Sequence, residues 1–233
     1  MRKFLVVLLV LLLGGLFVAD VLVKRRAESE IAKEVAASHR LVKQPSVDIG
    51  GFPFLTQAIG GTYDQISVGI GDYTQQGVTV RDVSIRLDDL NAPLGDLING
   101  DRSNITARTA TASAVIPYSY IQQATEARGV TRVAHRSGNL QLEGVFPFRG
   151  VQVPATVIVS LKATRQGVVV TPQSISTSGL QIPIALVQQQ LAYTIPLTGL
   201  PMGSRLTKVE PTDSGIEIVG EADNVKLENI PVS

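Results

Sequence analysis

VQVPATVIVSL, residues 151–161, places Val151, Val153, Ala155, Val157, Val159 and Leu161 on one parity of the chain. Successive side chains of a strand point to opposite faces, so this period of two predicts a half-buried β-strand. Ile66, Val68 and Ile70 alternate with Gln65, Ser67 and Gly69 in the same way. Between Val78 and Leu87 the phase slips: Val78 and Val80 share one parity, Val83, Ile85 and Leu87 the other. A β-bulge near Arg81-Asp82 produces such a slip, and a bulge curves its sheet.

The turns decide the topology. Ser137-Gly138-Asn139, Arg165-Gln166-Gly167 and Asp213-Ser214-Gly215 join strand-like runs with no room for crossover helices, which predicts an antiparallel meander. Short helices are expected to start at Pro93, Pro117 and Pro183, where proline suits a first helical turn; Gly100 and Gly129 would stop the first two. The expected class is α+β: a long, curved antiparallel sheet accompanied by helix. Gly51-Phe52-Pro53-Phe54 is echoed by Gly144-Val145-Phe146-Pro147-Phe148, either as two similar corners of the chain or by coincidence.

The N-terminus has a different character. Residues 4–23, FLVVLLVLLLGGLFVADVLV, are apolar except for Asp20, and as a helix they rise roughly 30 Å, the hydrocarbon thickness of a bilayer. Met1-Arg2-Lys3 forms a basic n-region, but small residues are not spaced for cleavage: Ala19 would need Phe17 as its upstream small partner. Residues 1–26 are therefore read as a signal anchor, with a cleaved signal peptide as the alternative, and residues 27–233 as one exported domain. Basic residues flank the run on both sides, at Arg2 and Lys3 and at Lys24, Arg25 and Arg26, so the positive-inside rule does not choose its orientation. Residues 27–42, AESEIAKEVAASHRLV, put Ile31, Val35, Ser38 and Val42 on one face of an amphipathic helix leading into the domain.

Composition excludes several chemistries. A formal net charge of +1 gives no field to gather nucleic acid. The absence of cysteine removes disulfides, thiolate metal sites, a thiol nucleophile and a lipoprotein lipid attachment point. No G-x-S-x-G elbow or H-E-x-x-H pair occurs, and the two histidines, His39 and His135, stand far apart in sequence. Asp88-Asp89 follows an alternating strand and precedes Pro93, a place for acidic residues at a strand end or helix start. Gly69-Ile70-Gly71-Asp72 lacks the third glycine of a dinucleotide fingerprint and lies within β alternation. No catalytic residue, metal or cofactor is expected. A glycine-rich, curved sheet beside a membrane tether suits an apolar ligand instead. At ~0.8 kcal/mol per methylene, a phospholipid's acyl chains need cover worth on the order of 20 kcal/mol to cross water.

Pro45 to Gly61, PSVDIGGFPFLTQAIGG, resembles the opening of the LmeA-type phospholipid-binding family of actinobacterial cell-envelope proteins, whose hallmark stands here at Gly51 to Gln57. Val115-Ile116-Pro117-Tyr118, Ile195-Pro196-Leu197 with Gly199-Leu200-Pro201-Met202-Gly203, and Gly215-Ile216-Glu217-Ile218 look like that family too. The resemblance implies a fold similar to tubular (BPI-like) lipid-binding domains, with a long curved sheet around helix. It implies non-catalytic phospholipid binding or transfer at the outer face of the plasma membrane, supporting lipoglycan (lipomannan) elongation or membrane maintenance. Two other classes compete: an accessory scaffold for an envelope glycosyltransferase, and an enzyme acting on lipid-linked sugars, which would need carboxylates converging on Asp88 or Asp89. Apolarity marks Phe52, Phe54, Leu55, Ile59, Phe146 and Phe148 as lipid-contact candidates. Two readings are open for the first four: they close one end of a sheet-lined cavity, or they fill the core.

Overall fold

The computed structural model describes residues 2–38, 41–75, 78–99, 101, 103–148, 150–165, 167–179, 181–196 and 204–227. Strands β1 (Ser46–Ile49), β2 (Thr62–Gln75), β3 (Val78–Asn91), β4 (Thr106–Ile116), β10 (Arg205–Pro211) and β11 (Ile216–Lys226) hydrogen-bond in the order β1-β2-β3-β4-β11-β10. Strands β5 (Val130–Arg136), β6 (Asn139–Phe148), β7 (Val151–Thr164), β8 (Gly167–Thr177) and β9 (Tyr193–Pro196) form a second sheet in chain order. The pairs within the second sheet are antiparallel, as are β1 with β2 and β10 with β11. The fold is mostly antiparallel sheet with a few helices and an apolar N-terminal helix, as the turn chemistry predicts. The chain packs as two compact units: Met1–Ile70, Ser84–Thr111 and Ala222–Ser233 make the first, Gly71–Val83 and Ala112–Glu221 the second.

In the second unit, β7 carries the alternation read from the sequence: Val153, Ala155, Val157 and Val159 are buried. Val151 departs from it at 61% exposed. It pairs with Phe148 of β6, whereas β8 pairs with β7 only from Ala155 onward, so the strand's first residues lie at an edge. The β5–β6 turn has φ +49° at Ser137 and +77° at Gly138, and Arg136 pairs with Asn139 across it, the two left-handed positions of a type I′ hairpin. Thr164 pairs with Gly167 across the next turn, of which Gln166 lies outside the described residues. Helix α4 (Tyr118–Thr125) follows Pro117, and α5 (Ile184–Leu191) follows Pro183. Both prolines are the capping residue just before the first turn, with extended ψ of 145° and 130°, so the helices begin one residue later than predicted. After α4 a single 3₁₀ turn, Glu126–Arg128, ends on left-handed Gly129, the predicted stop. A Cβ on Gly129 would strike the Val145 carbonyl oxygen, and one on Gly144 the Gly129 carbonyl oxygen, so two glycines let this turn lie against β6. Val130, Val133, Leu140, Phe146, Val157 and Val187 are among the core residues.

In the first unit, helix α1 (Arg2–Ser38) is continuous. The apolar run and the amphipathic segment, expected as separate elements, are one 37-residue helix, because Lys24-Arg25-Arg26 are sound helix formers and neither proline nor a capping residue interrupts them. Of the predicted amphipathic face, Ile31 packs on the core; Ala27 does so too and Ala32 is buried, though neither is part of the predicted face. Val42 lies beyond the helix and is fully exposed; His39 and Arg40 lie outside the described residues. Helix α2 (Phe54–Gly60) follows Pro53 and closes on left-handed Gly61. The core here is Ile49, Phe54, Tyr63, Ile66, Leu90 and Ile105 with smaller neighbours. Helix α3 (Leu94–Asn99) starts after Pro93; the predicted stop at Gly100 lies outside the described residues. In the part of β3 that belongs to the second unit, the backbone turns left-handed at Asp82, φ +50°, at the predicted phase slip. The glycine-phenylalanine echo does not mark two like corners: Gly51 to Phe54 lead into α2, whereas Gly144 to Phe148 run inside β6.

Candidate functional site: an apolar pocket

The second unit holds a pocket of about 500 Å³. Its wall follows directly from strand periodicity. Leu140 and Leu142 of β6, Val159 and Leu161 of β7, and Val168 and Val170 of β8 are i, i+2 pairs that present one face of the sheet to it. Val209 of β10 and Ile216 and Ile218 of β11 line it in the same way, with Lys208 and Glu210 on the opposite parity from Val209. From α4 come Tyr120, Ile121, Ala124 and Thr125, spaced one turn apart on a single helical face. Ile116, Thr194 and Ile195 complete the lining. Leu140, Val159, Val170 and Ile216 are also members of the buried core and make the floor. Tyr120 and Ile195, 39% and 41% exposed, mark where the pocket meets solvent.

Among the described residues no charged one lines the pocket, and the Thr125 hydroxyl is already used, donating to the Ile121 carbonyl at 2.7 Å. Such a surface offers dispersion and water exclusion to an alkyl ligand and little to a polar one. A cavity of ~150 Å³ holds the six carbons of benzene, so 500 Å³ scales to roughly 20 carbons. That is one long acyl chain.

Polar contacts fasten the elements around the pocket. The Tyr118 hydroxyl donates to the Thr212 carbonyl, tying α4 to the β10–β11 turn; burial, with the Asp213 charge second, raises its pKa. His135 Nδ1 lies 2.9 Å from Asp213 Oδ1, and its Nε2 accepts from the Gly138 N–H at 2.9 Å, so neither ring nitrogen is open to a substrate proton. On the outer face, Lys208 lies 2.8 Å from Glu210 and 2.6 Å from Glu217. The carboxylates raise the Lys208 pKa, and Lys208 lowers that of Glu210.

The residues chosen from sequence fall elsewhere. Phe54, 5% exposed, packs with Tyr63 at a ring separation of 6.3 Å. Leu55 is half-buried, while Phe52 and Ile59 are 65% and 81% exposed. All four belong to the first unit. Phe146 is 9% exposed in the core of the second, and the Phe148 side chain lies outside the described residues. Asp88 and Asp89 do not converge with other acids: Arg86 pairs with Asp88 and Arg108 with Asp89. Among the described residues no group of three or more His, Cys, Asp or Glu could hold a metal ion.

One buried contact had no signal in the sequence beyond the lone acid in an apolar run. Asp20, 4% exposed, accepts the Phe54 N–H at 3.0 Å on Oδ2 and the Leu55 N–H at 2.7 Å on Oδ1. Pro53 supplies no side-chain cap to α2, so a carboxylate 34 residues upstream satisfies the orphan amides of its first turn.

The sequence model of a family described as LmeA-like phospholipid-binding matches residues 18–221. Neither a curated protein nor a solved structure matches the chain.

Proposed function

The chain belongs to the LmeA-like phospholipid-binding family, and from that premise we propose that the pocket of the second unit shelters one acyl chain of a phospholipid, binding or transferring it without covalent chemistry. The observation that carries this reading is the predominantly apolar lining of a pocket of about 500 Å³, with no charged side chain in it among the described residues. Covering an acyl chain of about 16 carbons there offsets on the order of 10 kcal/mol of exposure to water at ~0.8 kcal/mol per methylene, so the pocket can hold a chain outside the bilayer without a charged headgroup contact. In this reading the sheet and helix enclose the chain as tubular lipid-binding domains do.

Residues 4–23, within a helix long and apolar enough to cross a membrane, anchor the protein, with the folded part at the outer face of the plasma membrane. Asp20 supports retention of the anchor, since cleavage after Ala19 would leave the capping carboxylate on a free N-terminal residue, without the preceding helix that holds it against α2. Delivery or withdrawal of phospholipid at this face would serve lipomannan elongation or membrane maintenance.

Native mass spectrometry of the full chain, released from detergent after expression in a membrane-containing host, tests the reading. One phospholipid per chain is expected. A folded chain that carries no lipid and takes up none from vesicles refutes it and leaves scaffolding of a glycosyltransferase as the better account.

A further inference from the structure

The GFPFLTQ segment, Gly51 to Gln57, has a backbone-level attachment to the apolar helix that lipid binding in the second unit does not use. Asp20 holds its first helical turn by two hydrogen bonds, and the Phe52 ring lies against Phe17 at 5.7 Å between centroids. Phe52 and Phe17 remain 65% and 55% exposed, in one surface with the exposed apolar side chains of α1.

Depth along α1 follows from the helical rise. At ~1.5 Å per residue, Phe17 lies roughly 10 Å from Lys24, and Asp20 roughly 6 Å. Lys24, Arg25 and Arg26 suit the level of the phosphates, where basic residues meet anionic headgroups. Phe52 is thus held at acyl depth. The Asp20 bonds make that depth tolerable, because the carboxylate and the amide donors of Phe54 and Leu55, each costly to leave unsatisfied near hydrocarbon, satisfy one another. Ile59, one turn beyond Leu55, adds a second exposed apolar side chain to the same segment.

We propose that Gly51 to Ile59 is a membrane-contact wedge, in which Phe52 enters the acyl region of the phospholipid bilayer beside Phe17 while Asp20 fixes the segment to the spanning helix. This rests on the anchored reading given above. Its occupant is the bilayer itself, by continuity with the exposed apolar belt of α1 and by the basic cluster at the helix's polar end.

The chain contains no tryptophan and no cysteine, so a single substitution at either residue type is a unique probe. Full-length Phe52→Trp and Leu13→Trp are reconstituted separately into phosphatidylcholine–phosphatidylglycerol vesicles carrying bromine at defined acyl carbons. Leu13→Trp should be quenched most by bromines near the chain ends. Phe52→Trp should show blue-shifted emission, with the greatest loss from bromines on the upper acyl carbons and little from aqueous acrylamide. Adding Asp20→Ala should restore acrylamide quenching at Phe52→Trp. Where tryptophan perturbs folding, nitroxide-labelled Phe52→Cys reads the same depth through its accessibility to oxygen against a water-soluble nickel chelate. Quenching of Leu13→Trp alone overturns the wedge and leaves the anchor standing. No acyl quenching at either position overturns both.

Discussion

Ala124→Phe should empty the pocket of much of its ligand without unfolding the protein. Ala124 lies on the pocket face of α4, and a phenyl ring built from it projects into the 500 Å³ void. A ring of six carbons occupies a space of ~150 Å³, near a third of that volume. A ligand denied that space loses cover for about six methylenes, a ceiling of ~5 kcal/mol at ~0.8 kcal/mol each. Sliding the chain toward the mouth recovers part of this, so phospholipid affinity should fall at least about tenfold, equivalent to ~1.4 kcal/mol. Stability should change little: the ring enters existing space instead of forcing core side chains aside, and phenylalanine costs a helix only ~0.5 kcal/mol relative to alanine.

Displacement of a fluorescent phospholipid and the urea midpoint, measured on the same delipidated, detergent-solubilised chain, separate the two effects. Val157→Ala is the matched control: the side chain is 0% exposed and outside the lining, so it should lower stability by about 2 kcal/mol and leave lipid stoichiometry unchanged. A folded Ala124→Phe protein that binds phospholipid as tightly as the parent would refute the pocket as the acyl site.

Two further outcomes follow from the same contacts. Phe54→Ala should cost roughly 3–5 kcal/mol by urea denaturation, because the ring is 5% exposed against Tyr63, whereas Phe54→Leu should cost much less; equal midpoints for parent and alanine variant would exclude a core role. Glu210, lowered from its ordinary value of 4.5 by the hydrogen bond and charge of Lys208, should titrate below that value by carbon NMR and return toward it in Lys208→Met. A carboxylate depressed in the fold contributes above its unfolded pKa and loses that contribution as pH falls through its folded pKa, so the difference should be confined to acid conditions; an unchanged Glu210 titration in the variant would exclude the pairing.

The period-two run of β7 and the Ser137-Gly138 turn were legible because each is a local rule: strand burial repeats every second residue, and a two-residue hairpin demands left-handed backbone at both positions. Contacts between distant segments carry no such local mark. His135 and Asp213 stand 78 residues apart, and only the folded hairpins bring the imidazole against the carboxylate. Asp20 was visible as an anomaly in an apolar run, but its partners are backbone amides, which every residue but proline possesses and no sequence pattern distinguishes. The continuity of the apolar run with the amphipathic segment was not legible for a related reason: a change in side-chain polarity at Lys24 alters the solvent a helix meets, not its backbone hydrogen bonding, and α1 runs through it.

The pocket had no mark in the sequence, because apolarity alone does not separate side chains that fill a core from those that line a void. Large aromatic side chains fill space, and Phe54 and Phe146 do so, at 5% and 9% exposure. A cavity forms where opposing side chains are too short to meet. Here Ala124 and Thr125 on α4 face a wall that includes Val159, Val168, Val170 and Val209, and the volume left between these small and β-branched residues is part of the pocket. Each of the strand pairs in that wall reads as ordinary core by its alternation; whether the face is covered by neighbouring side chains or left open for a ligand depends on which helix lies over it. The two short residues at positions 124 and 125, one α-helical turn beyond Tyr120 and Ile121, are the only local sign that α4 covers the wall without filling the space beneath. A stretch that looks like core in sequence opens as a pocket only when a strand face and a small-residue helix face are brought together, and the contacts left unmade there are those an acyl chain could supply.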